Sequence, residues 1–175
     1  MRLLKKMIHQ DIAEIKGNIY ERKAARGIIL KGEDILLLYT KRYNDYSFPG
    51  GGVDLEENLI EGLKRELEEE TGAKNIKVID EYGLLDEYRS CYYEGYDLMH
   101  MTSYFYVCDI DDELGETHLE DYEISNGMDA RWVNIHDAIA HNKKVIDSKE
   151  DSMGLSIERE TFVLELVAKE LIKKK

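Results

Sequence analysis

Glu66, Glu69 and Glu70 are the side chains best placed by type and spacing to do chemistry. Around a helical wheel of about 100° per residue, Leu59, Ile60, Leu63 and Leu67 share one arc, which must face a core. Glu61, Lys64, Arg65 and Glu68 lie roughly opposite. Glu66, Glu69 and Glu70 fall between, beside the apolar stripe. Spacings of i,i+3 and i,i+4 let the three carboxylates converge. Such a cluster repels itself by a few tenths of a kcal/mol per pair. It also stands near a helix C-terminus, where the macrodipole prefers cations. A hard divalent cation, which takes oxygen ligands, would relieve both penalties. Without further pattern, an acidic helix face of this kind is usually just solvated.

The neighbours of the cluster add pattern. Gly50-Gly51-Gly52 precedes the helix, and consecutive glycines let the backbone approach an ion or a phosphate closely. A tight turn is the plainer account of the glycines alone. Gly62 lies one turn before Glu66 on the same face, where its missing side chain would leave room for metal, water or substrate. Glu57 suits the start of the helix, where the dipole favours acids. Thr71-Gly72 marks its end.

Taken together, Gly51, then five residues, Glu57, then seven residues, then Arg65-Glu66-Leu67-Glu68-Glu69-Glu70-Thr71-Gly72-Ala73 resembles the Nudix box, G-x5-E-x7-R-E-U-x-E-E-x-G-U, with U a bulky aliphatic residue. The one departure is Ala73, smaller than usual at a packing position. Phe48-Pro49-Gly50-Gly51 also resembles the family's usual lead-in. The match spans residues 51–73, a small part of the chain but a specific one.

The resemblance implies a hydrolase that uses magnesium or manganese to cleave the diphosphate of a nucleoside diphosphate linked to another moiety. By position it makes Glu66, Glu69 and Glu70 the metal-binding carboxylates, with the Gly51 carbonyl as a further ligand. Arg65 and Glu57 would tie the loop–helix–loop together by charge-assisted hydrogen bonds. Bound metal would lower the pKa of the attacking water and neutralise phosphate charge. The general base varies within the family between a box glutamate and one from a distant loop. Glu116, Glu120 and Glu123 lie in an acidic stretch where such a loop could be, and Glu120 is the choice among them. Substrate choice rests outside the box: the only proline, Pro49, precedes it, and tyrosine is too common downstream to discriminate. Nucleoside triphosphates, dinucleoside polyphosphates and nucleotide sugars stay open.

Other residues could touch substrate. Arg26 could reach a phosphate, although an exposed strand arginine is the simpler account. Tyr88, Tyr92, Tyr93 and Tyr96 cluster near Arg89, so that Tyr88 and Arg89 could contact a base or a phosphate. A hairpin or oligomer contact is the plainer reading of that cluster.

The elements that must position these residues follow from local pattern. Ala24 to Leu30 and Ile35 to Thr40 read as a hairpin around Lys31-Gly32-Glu33-Asp34. Asn44 to Gly52 reads as a loop and Glu57 to Glu70 as a helix. Ile76 to Leu85, Met101 to Ile110 and Arg131-Trp132-Val133 read as strands. His136 to His141 reads as a short helix, and residues 156–173 as a C-terminal one, ending in a solvated Lys173-Lys174-Lys175. Residues 1–20 carry Ile8, Ile12, Ile15 and Ile19 at near-helical spacing, which suits a short helix or a partner-binding arm. The expected architecture is one α/β domain over residues 1–175, a Nudix-type α/β/α sandwich with a mixed β-sheet.

Composition narrows the partners. With a net charge of −13 over 175 residues, the chain disfavours nucleic-acid polymers and anionic membranes. An acidic protein that binds a phosphorylated ligand must mask its own charge locally, and divalent cations do that. Two cysteines without metal-like spacing, no apolar span of membrane length, and an N-terminus broken by Lys and His point to a cytoplasmic chain. A homodimer, with the N-terminal arm serving it, is the default oligomer. Two other classes stand beside the hydrolase. A Nudix-fold nucleotide-binding or regulatory module that has lost its chemistry would show a damaged box, and this one is intact. A structural cation-binding protein would leave Gly51, Arg65 and Gly72 unexplained.

Overall fold

The structure, a computed structural model, describes residues 1–173; Lys174 and Lys175 of the basic tail lie outside it. Its organisation follows from one apolar run. Ile35, Leu36, Leu37 and Leu38 are buried without interruption in strand β4 (Asp34–Thr40), as a strand covered on both faces requires. Ile35 and Leu37 pack with Phe48, Phe105, Ile135, Val163 and Leu164 on one side. Leu36 packs with Ala25, Leu63, Leu67 and Tyr106 on the other. These two cores are the two interfaces of an α/β/α sandwich. Helix α1 (Leu59–Thr71) covers one face, while α3 (Ile135–Ser148) and α4 (Ile157–Glu170) cover the other.

Two sheets share the middle layer. The first is mixed, in the order β1 (Leu3–Ile8), β7 (Lys77–Ser90), β8 (Leu98–Asp109), β2 (Ile19–Ile28), β6 (Gly50–Gly52). β1 runs parallel to β7 and β2 parallel to β8; the remaining pairs are antiparallel. The second is antiparallel. In it, β4 pairs with β3 (Leu30–Lys31), β5 (Asp45–Ser47) and β9 (Met128–Asn134). The short helix α2 (Asp121–Asn126) leads into β9.

Several expectations change in detail. The N-terminal segment is neither helix nor free arm, since Leu3–Ile8 is a strand added to β7. The isoleucine spacing misleads because only Ile8 lies in that strand, and parallel pairing with a distant segment leaves no local trace. The stretch 44–52, expected as a loop, contains the short strands β5 and β6. Helix α3 runs well beyond His141, to Ser148. No helix among the described residues is long and apolar enough to cross a membrane.

Candidate functional site

The acidic helix begins and ends as its sequence dictates. Asn58 caps α1 by accepting from the Glu61 amide at 2.9 Å, and the Glu61 side chain accepts from the Asn58 amide in return, a reciprocal capping box. Gly72 ends the helix in the left-handed conformation, with φ of 71° and its N–H donating to Glu68 O. Leu63 and Leu67 are fully buried, and Leu59 and Ile60 pack beside them. Burial of each leucine contributes about 1.5–3 kcal/mol and fixes the rotation of the helix. That rotation sets Glu66, Glu69 and Glu70 along the rim next to β6.

Arg65 organises the loop and helix. Its guanidinium donates to both oxygens of Glu57, at 2.7 and 3.0 Å, and to Gly52 O at 3.2 Å. It also donates to Glu66 Oε1 at 2.9 Å and Glu69 Oε2 at 3.3 Å. The fork geometry of arginine makes this five-contact tie available. The Arg65 hydrogen bonds, helped by the Asp54 amide, hold the Glu57 carboxyl at about 2. Gly62 corrects the expectation attached to it. A side chain there would meet Val53 at 3.0 Å and Glu57 at 3.2 Å, so the loop side chains take up the space that the missing Cβ leaves.

Glu70 is buried and accepts from the Gly50 amide at 2.7 Å. Burial drives its carboxyl well above the ordinary range; the Gly50 amide opposes this, and the charges of Glu66 and Glu123 add to it. Glu66 is likewise raised, first by burial and against the pull of Arg65. Gly50 sits at φ of 134°, and a Cβ there would collide with the Ala25 carbonyl oxygen. A Cβ on Gly51 would lie 2.7 Å from the Glu66 carboxyl carbon. Bare backbone at Gly51 is therefore what lets the carboxylate approach.

The same loop is gripped from behind. On α4, Glu160 Oε2 accepts from the Phe48 amide at 2.9 Å, and Glu160 Oε1 accepts from Arg159 at 2.8 Å. Arg159 also donates to Glu87 Oε2 at 2.6 Å, and Glu87 Oε1 meets His9 Nε2 at 2.9 Å. All three of Glu87, Arg159 and Glu160 are buried, so the pairing is obligatory. Sequence reasoning missed this network. The one available signal was a charged Arg159-Glu160 pair inside an otherwise apolar helical stripe.

Of the remaining expected residues, Arg26 is not an exposed strand arginine. It is largely buried, donating to Phe48 O at 3.5 Å and lying 3.9 Å from Glu160, while its Nε is unpaired. Burial, with the nearby charge of Arg159, lowers its pKa. Glu120 is exposed at the N-terminus of α2 and lines the cleft. Glu123 is the buried carboxylate of that stretch, accepting from the Glu120 amide at 2.8 Å and close enough to raise both Glu66 and Glu70. Glu116 is exposed and stands apart from the cleft. Arg89 lines the cleft, whereas Tyr88 stacks on His100 at 4.4 Å outside it.

Glu66, Glu70, Glu120, Arg26, Arg65 and Gly51 border one cleft of about 1550 Å³. Among the described residues no three acidic, histidine or cysteine side chains already stand as an ion cage, and Arg65 holds one oxygen each of Glu66 and Glu69. The donor chemistry nonetheless fits a hard divalent ion: oxygen donors of carboxylates whose burial disfavours their charge, beside the bare backbone of Gly51.

A family model described as NUDIX domain matches residues 21–152. No curated protein matches the chain. Among solved structures, the chain is similar to a MutT protein from Bacillus halodurans, with 19% identity over 76% of this chain and 83% of that one and a TM-score of 0.52. It is also similar to a NUDIX hydrolase from Nitrosomonas europaea, with 15% identity over 89% and 97% and a TM-score of 0.54. The E. coli ORF135 protein gives 16% identity over 90% and 96%, with a TM-score of 0.51. At these identities the likeness is one of fold.

Proposed function

Because the chain belongs to the NUDIX family, we propose that it is a divalent-metal-dependent hydrolase that cleaves the diphosphate bond of a small nucleotide-like substrate. The observation that carries this reading is the meeting of Glu66, Glu70 and the bare Gly51 backbone at the border of one large cleft.

Glu66, Glu69, Glu70 and the Gly51 carbonyl would hold the metal, magnesium or manganese. When bound, the ion supplies acidity to the attacking water and charge neutralisation to the phosphates. The chain's own residues do the rest. Glu57 and Arg65 lock the loop onto the helix, so the donors are positioned before substrate arrives. Glu70 and Glu160 fix the amides on either side of Pro49, which sets the course of the glycine backbone. Glu120, which lines the cleft, is the residue put forward as general base, and the buried carboxylate of Glu123 holds the turn that carries it by accepting from the Glu120 amide.

The test is hydrolysis of a panel containing ADP-ribose, nucleotide sugars, dinucleoside polyphosphates and nucleoside triphosphates, with magnesium or manganese. Metal-dependent cleavage of one compound, lost in both Glu69→Gln and Glu70→Gln, is the expected result. Metal binding with no turnover of any compound would instead favour a nucleotide-binding module on the same fold.

A further inference from the structure

The side-chain network behind the glycine loop reaches the first strand of the chain. From Phe48 it runs through Glu160 and Arg159 of α4, then Glu87 of β7, to His9 just past the end of β1. Both oxygens of each carboxylate are taken. Glu160 Oε2 accepts from the Phe48 amide, and its Oε1 accepts from Nη2 and Nε of Arg159 at 2.8 and 3.2 Å. Glu87 Oε2 accepts from Arg159 Nη1, which leaves Glu87 Oε1 for His9. Burial raises the Glu87 carboxyl, but Arg159, helped by His9, outweighs it and leaves the group below its ordinary range. Glu87 is therefore an anion that only accepts, and His9 Nε2 donates to it.

The side chains of Glu87, Arg159 and Glu160 are at most 3% exposed, so water cannot stand in for a lost partner. His9, at 18%, is the member that reaches solvent. Its backbone amide donates to Tyr88 O at 3.0 Å, so strand and side chain dock together. At the far end the loop is held one backbone group at a time. The Phe48 amide belongs to Glu160, the Pro49 carbonyl to the Gly27 amide at 2.9 Å, and the Gly50 amide to Glu70. A shift of Glu160 would displace Phe48. Through the proline that stiffens the next link, it would also displace the Gly50-Gly51 backbone beside Glu70 and Glu66. His9, Arg159 and Glu160 lie on either side of residues 21–152, the part that the family model matches.

We propose that His9 is a positioning residue: by holding Glu87, and through Arg159 and Glu160 the Phe48 amide, it sets the glycine backbone against the metal-binding carboxylates. The docking of β1 on β7 and the competence of the loop are then one coupled state, although His9 does not line the cleft. That Glu66 and Glu70 take metal rests on the hydrolase reading; the coupling of His9 to Gly50 does not.

The test compares His9→Gln with His9→Asn in the full chain. A glutamine amide nitrogen falls where Nε2 of the ring stood and keeps the donor to Glu87; an asparagine amide, one methylene shorter, does not reach. With manganese and whichever panel compound is cleaved, His9→Asn is expected to lower kcat about tenfold with KM changed by less than about twofold. His9→Gln should stay near wild type. Calorimetric titration with manganese alone should show weakened binding in His9→Asn and not in His9→Gln. Native-state hydrogen exchange in EDTA gives a readout free of turnover and metal. Protection of the Phe48 and Gly50 amides should fall about tenfold in His9→Asn, relative to the Leu36 amide of β4, and hold in His9→Gln. His9→Ala, with no donor, must repeat the asparagine losses and decides the matter if His9→Asn does not fold. A lower thermal midpoint with kcat, manganese affinity and Gly50 exchange all unchanged would overturn the proposal. So would equal losses in His9→Gln. If no panel compound is cleaved the hydrolase reading fails, while exchange at Gly50 still decides the coupling.

Discussion

The Gly50 amide donates to the buried carboxylate of Glu70 at 2.7 Å. A residue assigned to metal also holds the loop that it faces. Glu70→Gln keeps an acceptor oxygen for Gly50, so it should retain fold while losing at least about 100-fold in kcat/KM, or about 2.7 kcal/mol. Glu70→Ala removes the acceptor too and should cost a further 1–3 kcal/mol or so of stability. Steady-state kinetics beside thermal unfolding separates the two effects; equal stability of the two variants would contradict the structural half.

Arg65 is a positioning residue in this scheme. Arg65→Lys keeps a positive charge but cannot span Glu57, Gly52 and Glu66 together. Activity should fall about tenfold or more, with the loss in kcat rather than KM. A metal titration should show a weakened midpoint in the same variant. A change confined to KM would place Arg65 on substrate instead.

Helix α1 owes its rotation to buried leucine. Leu67→Ala should destabilise the chain by roughly 2–5 kcal/mol, since Leu67 is fully buried against Gly27. Chemical denaturation gives the value. A cost under about 1 kcal/mol would mean the core collapses around the gap.

Asp45 provides a pH signature. Burial, reinforced by the charge of Glu160, raises its carboxyl to about 7. An acid whose folded pKa exceeds its unfolded value, about 3.9, binds more protons folded than unfolded between the two. Its contribution is fully present below about pH 4 and is lost as pH rises towards 7. Wild type and Asp45→Asn should thus have similar stability near pH 4, and the variant should be the more stable near pH 7.5. Thermal midpoints across that range provide the check; parallel curves would refute the shift.

The two cysteines should differ in reactivity. Burial pushes the Cys108 thiol up to about 12, while Cys91 is partly exposed. Since the thiolate is the nucleophile, iodoacetamide should label Cys91 alone in the native chain. Mass spectrometry of the alkylated peptides would reveal labelling of Cys108.

What the sequence disclosed and what it hid divide along physical lines. Ile35 to Thr40 was legible as a strand from its apolar run and the turn residues before it, while its burial on both faces belongs to the two layers packed around it. The Glu57–Arg65 tie was legible only through the resemblance of residues 51–73 to the Nudix box, which fixes both positions. Leu3–Ile8 was illegible because its partner, β7, lies some 80 residues away, and Lys5 and Lys6 are exposed on its edge. Glu123 was read as one acid among three. Only the fold of α2, whose N-terminal turn brings Glu123 back onto the Glu120 amide, separates it from its solvated neighbours.

The glycine that ends α1 does more than cap it. Gly72 O accepts from the Gly115 amide at 2.6 Å, and Glu69 O accepts from the His118 amide at 2.7 Å. The last turn of the acidic helix and the segment leading to Glu120 are thereby stitched into one piece. The helix end cannot open without freeing the segment's amides, nor the segment without freeing the helix carbonyls, which makes them a single cooperative unit of local unfolding. The amides of Gly115 and His118, although in a loop, should then exchange their hydrogens at the pace of the helix end.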